Sequence, residues 1–294
     1  MNFNNILQEI EKADPEVYEK LSGRRHILKS FGSKVALAAL PLALGSMFKK
    51  AYGKTTDSVI SSLQFALELE YFEYNFYHTA NNTGSNTTNT LIPAADRAGF
   101  LLVENEEKAH INFLRTTIDT LGAVPFTPNY YTGDPITGNP YSPASYDFTA
   151  HSTFGTFSDY GSFLDLAIAF EDTGIRAYQG QIPNLLANDN DILTQVLQLS
   201  SVEARHASFA RLVRRFYNTA TFQIGTKPWI TTNFPPAVPL QPNYMGEDNT
   251  VQRGVDITSL TGYTGTISNS AATEAFDEPM DKATVTSLLA QFKL

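Results

Sequence analysis

The 294-residue chain contains no cysteine. Disulfides, thiolate zinc sites, iron–sulfur clusters and covalently attached haem are thereby excluded, and any metal must be held by oxygen and nitrogen ligands. Histidine is scarce, at five residues, so one that falls in a patterned position carries weight. Basic charge is thin as well: 21 Lys and Arg face 30 Asp and Glu, for a net charge of -9. Eight basic and five acidic residues precede Lys54, leaving 13 against 25 from Lys54 onward, a net of -12. A body that acidic argues against nucleic acid and anionic lipid as partners. The apolar run from Val35 to Phe48 is too short to span a bilayer comfortably, and Pro41 interrupts it. No stable membrane span is expected in the mature form.

What remains is a hydrophobic content of 42%, with 12% aromatic residues, enough for one large core plus an appendage. Four segments carry apolar residues at helical spacing. Leu63, Leu67, Tyr74 and Tyr77 mark a helix from about Ser58 to Tyr77, and Glu70 falls on the same stripe. Phe100, Val103, Leu114 and Leu121 mark a second from about Ala94 to Leu121, with Glu107 and His110 on its stripe and Gly122 as its stop. Leu164, Ile168, Ile175 and Tyr178 mark a third from about Ser162 to Gly180, carrying Glu171. A fourth, from Ile192 to Tyr217, is marked by Ile192, Val196, Leu199, Ala210 and Val213, and its stripe passes through Glu203 and His206. A short link, Gln181 to Asn190 with Pro183 inside it, is expected between the third and fourth.

Ionisable groups on a buried face are costly unless they are paired or bind a metal. A Glu and a His three residues apart on one helical face can converge on one ion. The helices supply, in order, Glu, Glu-x-x-His, Glu and Glu-x-x-His, which is the ligand arrangement of a di-metal carboxylate bundle. The candidate metal ligands are therefore Glu70, Glu107, His110, Glu171, Glu203 and His206. Glu107 and Glu203 are best placed to bridge two ions, with Glu70 and Glu171 each completing the shell of one. The alternative is a polar bundle core of Glu–His and Glu–Arg pairs without metal.

The stretches Leu67-Glu-Leu-Glu70-Tyr-Phe-Glu-Tyr, Glu106-Glu-Lys-Ala-His110, Ala169-Phe-Glu171-Asp-Thr-Gly-Ile-Arg-Ala-Tyr178 and Val202-Glu-Ala-Arg-His206 resemble the bacterial ferritin-like family that also includes plant desiccation-related proteins. The resemblance covers roughly Thr55 to Ala220. It implies an all-α fold, a ferritin-like four-helix bundle with a long crossover between its second and third helices. The loops agree: a polar turn over Ala80 to Ile92, then a Pro-, Gly- and Tyr-rich connection from Ala123 to Tyr160. The expected layout is an N-terminal segment over 1–53, the bundle over 54–220, and a Pro-rich C-terminal extension over 221–294. A last helix is expected near the end, capped by Asp277 with Pro279 at its start and running to about Phe292.

The resemblance further implies two iron or manganese ions, with zinc able to bind opportunistically. The implied chemistry is that of an oxidoreductase reacting with oxygen or hydrogen peroxide, ferroxidase-like or catalase-like. The alternative is a non-catalytic exported stress or envelope protein that keeps the bundle. A homo-oligomer is left open. Separately, Gly23-Arg-Arg-His-Ile-Leu-Lys29 before the apolar run resembles a twin-arginine export signal, with Gly23 where Ser or Thr is usual and Ile27 where Phe is usual. This implies the twin-arginine machinery as a partner and a periplasmic location; the alternative is an amphipathic helix with two incidental arginines.

Neighbouring residues carry weaker expectations. Glu73 and Glu104 are expected to be solvated or paired, with lining an ion path as the alternative. Glu68 and Glu106 point off the stripes and are expected at the surface. Tyr74 and Tyr178 are expected as core residues with satisfied hydroxyls, with donation to a ligand as the alternative. Arg176 and Arg205 are placed either beside the ligands or in surface ion pairs, and His78 and His151 away from the site.

Overall fold

The computed structural model describes residues 57–82, 90–127, 146–217, 227–260 and 265–293. All of them lie in one compact unit, residues 53–294. The paired arginines and the apolar run after them lie outside the described residues. The chain is mostly helical, with four long helices: α1 (Asp57–Asn81), α2 (Ala94–Thr120), α3 (Tyr160–Asn188) and α4 (Asn190–Tyr217). Among the described residues, no helix is long and apolar enough to cross a membrane.

Contacts at the helix ends fix the directions. Asn81 near the end of α1 donates to Phe100 O near the start of α2, and Gln64 near the start of α1 donates to Val124 O just past the end of α2. These two helices are antiparallel. The Tyr160 and Tyr217 rings meet 4.8 Å apart, so α3 and α4 are antiparallel too. Tyr160 at the start of α3 also donates to Asp96 at the start of α2, so α2 and α3 run the same way. Two helices running in the same direction need a connection as long as the bundle, and residues 121–159 join them in sequence.

Local chemistry explains the boundaries. Gly122 ends α2 with a φ of 85°, and the N–H groups of Gly122 and Ala123 return to Asp119 O and Ile118 O. Asp159 caps α3 by accepting from Ser162 N–H. The link expected over Gln181 to Asn190 is absent: α3 continues through Pro183 to Asn188. A proline inside a helix costs about 3 kcal/mol. Here the turns beyond it are anchored from outside, because Leu185 is fully buried and Asn184 donates to Ser58 O and Ser62 Oγ on α1. Asp189 alone separates the helices, and its carboxylate accepts from the Asp191 and Ile192 N–H groups of α4.

The core at one end of the bundle is aromatic, with Phe72, Phe76, Phe148, Phe163, Phe170 and Phe292 packed together. Two of these come from outside the four helices. The stretch after α4 holds a 3-10 segment (Val238–Tyr244), a two-residue hairpin of β1 (Val251–Gln252) with β2 (Val255–Asp256), α5 (Asn269–Thr273) and α6 (Lys282–Ala290). The cap of α6 is Asp281, which accepts from Thr284 N–H, and not Asp277 as the sequence reading had it. Both are Asp residues near Pro279, and only the register of the backbone decides between them.

This C-terminal stretch is fastened to α3. Arg176 is 2% exposed and donates to Asn243 O, Met245 O and Glu278 O, and it pairs with Glu247 at 2.7 Å. Asp172 accepts from Arg211 and Tyr244. At Gly180 a Cβ would sit 2.0 Å from Met280 O, so only glycine lets that backbone approach and Met280 N–H reach Arg176 O at 2.9 Å. Arg176→Ala would leave Glu247 buried without its partner, which typically costs about 3–5 kcal/mol. Urea unfolding is expected to report a loss of that size, and a loss below about 1 kcal/mol, within surface-substitution range, would contradict this assignment.

Candidate metal centre

All six side chains singled out in the sequence meet at the middle of the bundle. Glu70, Glu107, Glu171 and Glu203 are each 0% exposed, and His110 and His206 are 7% and 3% exposed. Their inward direction follows from spacing alone: residues three apart on a helix share a face, so each Glu-x-x-His delivers both groups to the same interior point. His110 Nδ1 lies 3.1 Å from Glu70, 3.3 Å from Glu107 and 2.9 Å from Glu203. His206 Nδ1 lies 2.8 Å from Glu107, 3.5 Å from Glu171 and 3.1 Å from Glu203. Glu70, Glu107, His110 and Glu203 form one group that could hold a metal ion, and Glu107, Glu171, Glu203 and His206 form a second. The two groups share Glu107 and Glu203.

The donors do not add up to a satisfied polar core. Each imidazole aims one nitrogen at three carboxylates, and one N–H cannot serve three acceptors. Both oxygens of Glu107, Oε2 of Glu171 and Oε1 of Glu203 have no donor in hydrogen-bond geometry, although imidazole nitrogens stand close to them. Buried acceptors left this way are expensive, and a cation is the partner that carboxylate oxygens and imidazole nitrogens accept together. The residues present therefore fit a metal ion.

Electrostatics within the cluster are polarised. Burial, with the charge of Glu203 added, holds Glu107 well above the ordinary carboxylate range. Burial also pushes Glu171 from 4.5 to about 7, against the opposing charge of His206. At Glu203 burial is overruled by His110 and His206, which bring it down to about 2. Burial alone would depress both imidazoles, yet the carboxylates of Glu70 and Glu203 around His110 and of Glu171 around His206 raise them.

A second layer of contacts was only partly legible in the sequence. Tyr178 Oη of α3 donates to Glu70 Oε1 of α1, and Tyr77 Oη of α1 donates to Glu171 Oε1 of α3 at 2.5 Å. For Tyr178 the sequence favours a core residue with a satisfied hydroxyl and keeps donation to a ligand as the alternative, which the structure shows; Tyr77 stands in the sequence as part of the stripe alone. The signal was present, since each tyrosine lies seven residues after the glutamate of its own helix, two turns along the same face. Glu106, expected at the surface, does keep a 38% exposed side chain but reaches His206 Nε2 at 2.7 Å. Such a carboxylate fixes the ring orientation and leaves Nδ1 facing the cluster. Glu104 pairs with His78 at 2.6 Å, and Glu68 with Lys293 at 2.6 Å. His151 pairs with Asp147 at 3.5 Å, and Arg205 lies on the exposed side of α4. Glu73, expected to be solvated or paired, is neither: it is 3% exposed and its Oε2 meets no donor.

A sequence profile described as a ferritin-like domain matches residues 58–216. A search of curated proteins finds no match.

The polarisation predicts a pH dependence for the metal-free protein. Glu171 is raised from 4.5 to about 7, so its contribution to stability is complete below pH 4.5 and lost as pH rises through 7. At 1.36 kcal/mol per unit the loss is on the order of 3 kcal/mol. The raised imidazoles act in the same direction above pH 6.5. Metal-free protein is expected to melt at a lower temperature at pH 8 than at pH 5, and Glu171→Gln to flatten the difference. A melting temperature that rises across this window would contradict the account.

Proposed function

The chain belongs to the ferritin-like domain family, and from that premise we propose that it binds two iron or manganese ions and reacts with oxygen or hydrogen peroxide. The observation that carries this reading is the pair of overlapping ligand groups that share Glu107 and Glu203, with carboxylate oxygens lacking donors at their meeting point. Glu70 and His110 would hold one ion and Glu171 and His206 the other, with Glu107 and Glu203 between them. Charge supports the number. Four ionised carboxylates with two neutral imidazoles carry a formal charge of about -4, which two divalent cations would offset in full.

When bound, such a pair supplies the redox chemistry toward oxygen or hydrogen peroxide; iron favours ferroxidase-like and manganese catalase-like reactivity. The protein's own residues hold, orient and insulate. Tyr77 and Tyr178 each tie down one oxygen of a terminal carboxylate, so that the other oxygen stays aimed inward. Glu106 holds the His206 ring. Burial of all six side chains keeps bulk water out, which strengthens every electrostatic contact inside.

Replacing Glu203 and His206 by alanine is expected to abolish uptake of at least one of two metal ions per chain, read by elemental analysis after loading with iron or with manganese. Unchanged stoichiometry would refute the reading. We also propose export by the twin-arginine route, which rests on Arg24-Arg25 ahead of the apolar run. Arg24→Lys with Arg25→Lys is expected to leave the protein in the cytoplasm of a bacterial host, and undiminished periplasmic yield would overturn it.

A further inference from the structure

Glu73 stands apart from the six. It lies three residues after Glu70 on α1, is 3% exposed, and belongs to neither ligand group. Its carboxylate lies against α3 at Gly174, where a Cβ would sit 2.8 Å from Glu73 Oε1 and make that side chain shift. The extra carboxylate is thus buried at the α1–α3 interface.

Glu73 and Gly174 also line a small cavity, with Leu288, Leu289 and Phe292 from the C-terminal stretch and with Thr173 and Asn243 in its wall. Two residues of that wall carry buried acceptors that meet no donor among the described residues, Glu73 Oε2 and Asn243 Oδ1. Asn243 is itself 3% exposed and spends its amide N–H on Thr173 Oγ1 at 2.9 Å, and Thr173 in turn donates to Ala169 O. Two residues that line one space thus each carry a buried oxygen that meets no donor among the described residues. The space is about 10 Å³, which is close to the smallest volume that holds one water and too small for a molecule with two heavy atoms.

We propose that this cavity is a binding site for a single water molecule, which donates one hydrogen to Glu73 Oε2 and the other to Asn243 Oδ1. A water has the two donors that these two acceptors lack, and buried acceptors left without one are costly. The site makes the C-terminal stretch part of the interior polar structure: Asn243 supplies half of the water's anchorage, and Arg176, by binding Asn243 O, holds Asn243 in place. Resting on the two-metal reading, the consequence is that Glu73 and its water give the sealed centre a non-ligand carboxyl group beside an exchangeable proton source.

The test is a crystal structure of the metal-free full chain at a resolution that shows buried waters, with Asn243→Leu and Glu73→Gln alongside, and metal counts for each protein. A single water within hydrogen-bond distance of Glu73 Oε2 and Asn243 Oδ1 in the wild type, lost in Asn243→Leu, is the expected result. Glu73→Gln is expected to keep the same number of bound metals as the wild type while shifting the pH profile of oxygen or peroxide consumption. Absence of that water from the wild type overturns the proposal and leaves the metal reading standing if two ions bind. A water present in a chain that takes up no metal supports the hydration site and sinks the metal reading instead. A reduced metal count in Glu73→Gln would make Glu73 a ligand and overturn its separation from the six.

Discussion

Like charges packed in the interior of a four-helix bundle are the constraint around which this molecule is arranged. Two unit charges about 4 Å apart repel by roughly 4 kcal/mol at an effective dielectric constant of 20. Four glutamates, each with no exposure, share one such space. The two imidazoles are the chain's own answer, and both sit among three carboxylates at 2.8–3.5 Å. They are too few to serve the oxygens around them. Carboxylate oxygens of Glu107, Glu171 and Glu203 are left without a donor among the described residues.

The rest of the fold keeps that cluster in register and out of contact with water. Helix α3 is the hub. Every residue from Phe163 to Tyr178 is buried, because α1, α4 and the C-terminal stretch cover it on all sides. One short run of α3 carries Glu171 toward the centre, Asp172 toward Arg211 and Tyr244, Gly174 against Glu73, and Arg176 into the carbonyls beyond residue 240. A disturbance at the C-terminal stretch is thus one helical turn from a centre residue. The crossed tyrosines add rigidity of the same kind, since each joins α1 to α3 at a glutamate.

The bundle and the meeting of the six side chains were legible in the sequence because both depend on local periodicity. An apolar stripe interrupted by Glu and His at spacing three states where those groups point, whatever the loops do. What escaped depends on contacts distant in the chain. Pro183 reads as a helix breaker by every local rule, and only Asn184 and Leu185 packing against the bundle carry α3 past it. Glu106 sits off the stripe and reaches His206 because α4 is adjacent, a fact that α2's own sequence does not contain. Arg176 could be placed near carboxylates from spacing, yet its partners lie 67 to 102 residues away in a stretch without periodicity. The room that Gly174 leaves for Glu73 is likewise a property of two helices together.

The central claim is that six side chains from four helices clasp two cations. Anomalous diffraction from metal-loaded crystals, collected on either side of the iron and manganese absorption edges, tests it most directly. The account predicts two adjacent peaks of anomalous density, one beside His110 and Glu70 and the other beside His206 and Glu171, with Glu107 and Glu203 between them. A cluster without anomalous density, its carboxylates closed onto the imidazoles alone, would contradict it.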